Sequence, residues 1–448
     1  MSLSNRTVFI ILVIIVSFEA IVLLNLAKDL GVLGGDGPTY NNLALNLITK
    51  GLFSSQSDYP YEPTIFRSIG YPLFLGSIYN LVGNSVAAIR FAQFILLLFS
   101  SYLLFLLAKR FAGENSAFYA AVFCAAYLPL AFLCLYHLTE ILSTFLVILS
   151  VYLVVKIEEG SNKSGILLGL TLGCLSQVRP SFLLFAGLIL VAVFISNKII
   201  FKTKLTVAIS IIIALTLCIF PWAIRNKIVS GEFVPLATGK GVSLYVSAQQ
   251  YQGDISYSIP LSDWVKIIEE DNRRGLDSRE KINALDLRQE STSLNLPLNP
   301  RIELLQDKTY TTNAFEKFST IPIKNYLFGY PKRIAYLFST SDAAPANIYD
   351  STHPLVQLQF AIFAFLILVG VMVQRKLILQ QYLLWLVPIY IIVLHTIFHV
   401  ESRYSIPAKP FLLIYAGIGI NFLFKQFMLM RGTFLGKEVR DMNGIKKI

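Results

Sequence analysis

Apolar runs long enough to cross a bilayer, separated by short polar clusters, dominate this chain. A hydrocarbon core about 30 Å thick needs roughly 20 apolar residues per helix. Windows of that kind fall at 7–27, 86–108, 116–134, 136–155, 164–178, 180–197, 204–223, 355–373, 379–398 and 405–424, which predicts about ten transmembrane helices. Between the first two windows Tyr40, Leu43, Ala44, Leu47 and Ile48 recur at helical spacing, after Pro38 and before Gly51. That spacing predicts a short helix along the membrane surface. The apolar stretch 71–81 is too short to cross once Gly70 and Pro72 have broken its start, so it predicts a second interfacial helix.

Residues 225–354 are the only stretch of ordinary soluble composition. Phe233, Val234, Leu244, Tyr245 and Val246 read as strand-like, 264–290 as a charged helical region, and 313–338 as aromatics alternating with Lys and Pro. The expected architecture is an all-α polytopic membrane protein with a small α/β extracytoplasmic subdomain. Its parts are a transmembrane core (1–224) with a first outer loop at 28–85, a loop subdomain (225–354), and C-terminal transmembrane helices with a basic tail (355–448). No internal repeat of the inverted-repeat transporter kind is visible.

Composition agrees with the pattern: of 448 residues 55% are hydrophobic and only 15% charged, too apolar for a soluble protein of this size. The net charge of +11 does not point to nucleic acid, because the basic residues sit in short clusters between apolar runs. Lys109-Arg110, Lys156 with Lys163, Lys198 with Lys202 and Lys204, Arg375-Lys376 and the tail from Lys425 all fall on the side of Arg6. By the positive-inside bias that side is cytoplasmic, and the expected location is the plasma (inner) membrane. The apolar run after Arg6 is too long for a signal-peptide core and is expected to stay as the first span. Cys124, Cys134, Cys174 and Cys218 lie inside apolar runs without metal or disulfide spacing and read as small core residues.

Candidate chemistry gathers at the opposite, outer ends of the windows. Asp36 and Arg67 lie in the first outer loop, His137 and Glu140 at the start of the fourth window, and Arg179 between the fifth and sixth. Arg225 follows the seventh, while Glu401, Arg403 and Tyr404 precede the last. Charged residues this close to hydrocarbon need partners or a ligand. Arginines can hold a phosphate leaving group while an acid takes the acceptor's proton, so these residue types suit transfer from a phosphate-activated lipid. Structural readings stand beside that one. Asp36 before Gly37-Pro38 fits a helix cap, Arg67, Arg225 and Arg403 fit interfacial anchors, and His137 and Glu140, one turn apart, fit a mutual pair. Arg179-Pro180 fits a simple turn, and Glu19 inside the first window has no identifiable partner. His395, His399 and Glu401 have a metal-like spacing, but with only four histidines in the chain no metal and no cofactor is expected.

The runs Gly35-Asp36-Gly37-Pro38-Thr39-Tyr40, Arg67-Ser68-Ile69-Gly70-Tyr71-Pro72, Pro221-Trp222-Ala223-Ile224-Arg225-Asn226 and Glu401-Ser402-Arg403-Tyr404 resemble the GT-C glycosyltransferases. The branch is similar to the protein O-mannosyltransferases and the lipid A aminoarabinose transferases. The resemblance implies a multi-span enzyme that uses a polyprenyl-phosphate sugar, inverts the anomeric carbon and works on the outer face. Asp36 would then be the base. Members often carry an acidic pair in the first loop, whereas Gly37 follows Asp36 here, so Glu140 is the candidate second carboxylate. Arg67, Tyr71, His137, Arg179, Arg225, Tyr245, Glu401, Arg403 and Tyr404 are the candidate substrate-binding residues. The partners expected are the bilayer, the polyprenyl-phosphate sugar donor and a lipid, glycan or protein hydroxyl acceptor. The alternatives are a glycan polymerase or ligase that uses lipid diphosphates, and a lipid or glycan transporter.

Overall fold

The computed structural model describes residues 4–33, 35–161, 163–253, 300–339 and 354–445. Among these, seven helices are long and apolar enough to cross a membrane: Asn5–Leu26, Val86–Ala112, Glu140–Glu158, Phe201–Ser230, Pro354–Gln374, Ile378–Ile397 and Ser402–Arg431. The chain is a multi-pass membrane protein, all-α over the described residues, and the first helix shows why its pattern folds this way. In α1 (Asn5–Leu26), Val8, Leu12, Val16, Ala20 and Leu23 are buried against the bundle, while Ile10, Ile14, Phe18 and Ile21 form an exposed apolar stripe. An aqueous helix would carry polar residues on that outer face; here lipid is the solvent.

In chain order α2 (Gly37–Lys50) and α3 (Gly70–Val82) form between the first two spans, where the periodicity predicts helices. They are followed by α4 (Val86–Ala112), α5 (Glu114–Ala125), α6 (Leu128–Leu133), α7 (Glu140–Glu158), α8 (Ser164–Val178) and α9 (Leu183–Ile195). Then come α10 (Phe201–Ser230), α11 (Lys240–Gln252), α12 (Pro300–Thr320), α13 (Ile323–Leu337), α14 (Pro354–Gln374), α15 (Tyr382–Ile397) and α16 (Lys409–Ile445).

Two expectations need correction. Ten full-length spans is too many. The 116–134 window divides into α5 and α6, because Pro129 restarts the helix. The 164–178 and 180–197 windows part at Arg179-Pro180 as expected, but they form helices of only 15 and 13 residues, α8 and, after a 3-10 turn, α9. Of these shorter pieces α8 packs against α7 and α10, and both α8 and α9 keep an exposed apolar face, with Ile166 and Leu167 on one and Leu184 and Ile195 on the other. The α/β subdomain is also overturned, since the described residues contain no strand. Phe233 and Val234 lie in irregular chain, and Leu244, Tyr245 and Val246 lie within α11. A three-residue apolar run fits a buried helix face as well as a strand, and length decides between them. The 264–290 region lies outside the described residues.

Close helix approach relies on absent side chains. A Cβ on Gly370 of α14 would lie 1.9 Å from the Tyr415 carbonyl oxygen of α16, and one on Gly419 would lie 2.2 Å from that of Leu366. With no hydrophobic drive between helices in lipid, this kind of backbone contact holds them together.

Candidate functional site

Two ends of the bundle differ in chemistry. One gathers Lys109, Glu114, Lys156, Glu158, Glu159 and Lys198, with Lys109–Glu114 at 2.7 Å and Lys198–Glu158 at 2.9 Å. The other is built from the ends of α1, α7 and α8, the start of α2, and the turn before α16.

At that second end Asp36 immediately precedes α2, yet its side chain makes no capping bond. Instead Oδ1 accepts from Arg67 Nη2 at 2.6 Å and Oδ2 from Arg403 Nη2 at 3.3 Å. The Arg67 guanidinium, and then Arg403, hold the Asp36 carboxyl below its ordinary range against the opposing effects of burial and Glu401. Arg67 rests over Phe66 (4.9 Å to the ring centre) and Tyr40 (5.4 Å), and Tyr71 packs edge-on against Tyr40. Tyr71 is thus a layer behind Arg67. Gly70 lets this arm close on α8: a Cβ there would lie 2.5 Å from the Gln177 carbonyl carbon. The adjacent Ser68 hydroxyl donates to the Gln177 carbonyl at 2.6 Å.

Glu140 is the first residue of α7, where the helix dipole favours an anion, and it is 1% exposed. Its Oε1 lies 3.7 Å from Arg403 Nη1 and 3.9 Å from Arg179 Nη1. Neither contact is short enough for a hydrogen bond, and Glu140 Oε2, Arg179 Nη1 and Arg67 Nε are buried without a hydrogen-bond partner. Arg403 also donates through Nε to Glu401, whose Oε1 lies 3.3 Å from His399 Nε2. Burial pushes the Glu401 carboxyl upward, but Arg403 and His399 outweigh it and hold it below its ordinary range. Tyr404 hydrogen-bonds His399 at 2.8 Å and lies under the guanidiniums of Arg179 (4.9 Å) and Arg403 (5.4 Å). Three carboxylates and three guanidiniums therefore interlock, with Arg403 touching all three acids.

The structure brings together Asp36, Arg67, Glu140, Arg179, Glu401, Arg403 and Tyr404. It does not bring three other candidates. His137 precedes α7 rather than sharing a face with Glu140, and its Nε2 meets the Tyr79 hydroxyl at 3.3 Å. Arg225 turns to the Thr64 carbonyl (2.6 Å) and stacks on Trp222 and Phe53. Tyr245 packs edge-on against Tyr310, 5.3 Å between ring centres, under α12. His395 and His399 do not converge on a common point, because His395 Nδ1 faces the His399 carbonyl at 3.0 Å.

Sequence reasoning passed over several supports. Arg90 and Gln93 of α4 bond the backbone ahead of Asp36 and Glu140. Arg333 of α13 donates to Ser247, His395 and Phe398, fixing the end of α15 ahead of His399. Glu303 of α12 accepts from the Thr64 hydroxyl (2.5 Å) and the Ile65 N–H (2.7 Å), just ahead of Arg67. The signal for Arg90 was present, an arginine inside an apolar window.

The family profile for dolichyl-phosphate-mannose-protein mannosyltransferases matches residues 67–224, about a third of the chain. No curated protein matches the sequence. Among solved structures, the apo Archaeoglobus fulgidus oligosaccharyltransferase superposes over 96% of this chain and 51% of its own, with a TM-score of 0.55 at 14% identity. The oligosaccharyltransferase AglB from the same organism, in complex with an inhibitory peptide and a dolichol-phosphate, gives 0.53 at 13% identity over 94% and 51%. ArnT from Cupriavidus metallidurans, bound to undecaprenyl phosphate, covers 91% and 77% at 12% identity, with a TM-score of 0.42, too low to indicate a shared fold. The chain thus spans about half the length of the archaeal oligosaccharyltransferase. At 13–14% identity the likeness to the archaeal oligosaccharyltransferase is one of fold.

Proposed function

We propose that the chain is an inverting glycosyltransferase that moves a sugar from a polyprenyl-phosphate donor to a hydroxyl on the extracytoplasmic face. The observation that carries this reading is the interlocked cluster of Asp36, Glu140 and Glu401 with Arg67, Arg179 and Arg403, together with the spare buried N–H groups on Arg67 and Arg179. Those groups are free to take phosphate oxygens, and a guanidinium matches a phosphate's geometry. The name of the family matched at 67–224 supports a polyprenyl-phosphate sugar as donor, and the AglB complex shows a dolichol-phosphate on a protein of this fold.

In the proposed reaction the acceptor oxygen attacks the anomeric carbon as the bond from that carbon to the phosphate oxygen breaks. The polyprenyl phosphate leaves with the bonding pair, its charge taken up by the arginines. The hydroxyl proton passes to Asp36 and from there to water. Glu140, the second carboxylate, holds Arg179 and Arg403 against one another's repulsion and orients them toward the phosphate. Basic residues concentrate at the bundle end opposite this cluster, which supports an outward-facing site in the plasma membrane.

The test is transfer by the purified protein in lipid nanodiscs, with labelled sugar on a polyprenyl monophosphate or diphosphate. Transfer from the monophosphate with inversion is expected. Use of diphosphates alone would favour a ligase, and flux across proteoliposomes without a glycosidic product would favour a transporter.

A further inference from the structure

We infer that Arg90 is a positioning residue for the proposed base Asp36 and for Glu140, which orients the arginines: its guanidinium ties the chain ahead of Asp36 to the turn ahead of Glu140, and so sets where both acids stand against the arginines. The inference rests on the functional reading above and extends it to a residue that touches neither substrate nor acid.

Arg90 lies in the first turns of α4 and is 2% exposed. Nη1 donates to the Ala27 carbonyl at 2.7 Å, and Nη2 to those of Leu30 (3.0 Å) and Gly31 (2.7 Å). Nε donates to the Leu135 carbonyl at 3.0 Å. Gly31 precedes Asp36 by five residues, and Leu135 precedes Glu140 by the same interval. One turn further along α4, Gln93 Nε2 donates to the carbonyls of Cys134 (3.0 Å) and Tyr136 (2.7 Å). The two acid-bearing segments also meet directly, through the His137 N–H on the Leu33 carbonyl at 3.2 Å. A single side chain thus fixes both segments from below.

Only arginine offers donors fanned in one plane that can reach carbonyls on both sides. Among the described residues Arg90 forms no ion pair with an acid, so its charge is balanced by carbonyl dipoles alone. Burying a cation this way near hydrocarbon is costly. A packing role would be filled more cheaply by methionine or leucine; the cost is explained if the guanidinium holds a geometry that the chemistry requires. Asp36 keeps its contacts to Arg67 and Arg403 only while the chain from Ala27 onward is held. The charged groups acting on Asp36 are Arg67, Arg403 and Glu401, and each belongs to a segment other than its own.

Arg90→Gln and Arg90→Lys are compared with the parent protein in nanodiscs by two readouts. The first is an infrared titration of carbon-13-labelled aspartate, with Asp36→Asn subtracted to isolate Asp36. The second is steady-state transfer from a polyprenyl-phosphate sugar. Arg90→Gln is expected to move the Asp36 titration up toward the ordinary aspartate value. It is also expected to lower kcat about 100-fold while the donor KM changes by less than about threefold, as expected for a misplacement near 1 Å. Arg90→Lys, which keeps the charge but not the fork, is expected to fall between, and it decides by the same readouts if Arg90→Gln does not fold. A folded variant with the Asp36 titration and kcat both unchanged overturns the inference. If the parent protein transfers no sugar, the functional reading fails, and the titration still decides the positioning.

Discussion

Asp36 owes its state to two arginines supplied by distant parts of the chain, Arg67 at 2.6 Å and Arg403 at 3.3 Å. Because Arg67 first, then Arg403, lower its proton affinity, it stays ionised and ready to accept a proton well into acid. The kcat/KM of the free enzyme should therefore keep its acid side below the ordinary aspartate value of about 3.9, which a pH–rate profile checks. The sign for stability is the same. A depressed folded value stabilises the protein above the unfolded pKa, and that contribution is lost as pH falls through the folded one. Arg403→Ala should raise the acid limb and destabilise the protein by about 3 kcal/mol, since three acids lose a shared cation; thermal unfolding in detergent measures the second effect. Lysine should not rescue it, because one ammonium cannot reach all three carboxylates. Asp36, Arg67, Glu140, Arg179, Glu401 and Arg403 were legible because ionisable residues beside apolar windows are few. His137, Arg225 and Tyr245 were not separable from them: sequence gives the end of the bundle at which a residue lies, but not the direction it faces around the bundle.

At the scale of elements, α12 acts as a strap. Glu303 on its first turn reaches the backbone at Thr64 and Ile65 and thereby steadies the arm that ends in Arg67. Burial, only partly offset by the Thr64 and Ile65 hydrogen bonds, pushes its carboxyl up to about 7. A raised folded value stabilises fully below the unfolded pKa and is lost as pH rises through the folded one. Between its unfolded value of 4.5 and a pH above 7, Glu303 should cost the fold about 3 kcal/mol, and Glu303→Gln should remove that slope from the pH dependence of unfolding. Gly70→Ala drives a methyl group into the Gln177 backbone, so it should destabilise the α3–α8 contact by about 1–3 kcal/mol and lower transfer by shifting Arg67. Helices α2 and α3 were legible from spacing and their Pro and Gly signals. The break at Arg179-Pro180 was legible between two windows, whereas the one at Pro129 was hidden because a hydropathy window sums across a proline, and the strand reading of the α11 residues failed because burial against α12 hides the helical period.

For the whole molecule, the unequal distribution of charge is the organising fact: lysine-rich helix ends on one side, a balanced cluster of acids and arginines on the other. If the cluster faces outward, single cysteines placed at Ser57 and at Lys202 in a cysteine-free background should react oppositely with a membrane-impermeant maleimide on intact cells, Ser57 labelled and Lys202 protected. The central claim, that a carboxylate held by arginines at this face removes the acceptor's proton, is tested most directly by comparing sugar transfer from a polyprenyl monophosphate by Asp36→Asn and by the parent protein, at matched folding. The account predicts a loss of at least about 100-fold with the protein still folded and the donor still bound; transfer at the parental rate by Asp36→Asn would contradict it.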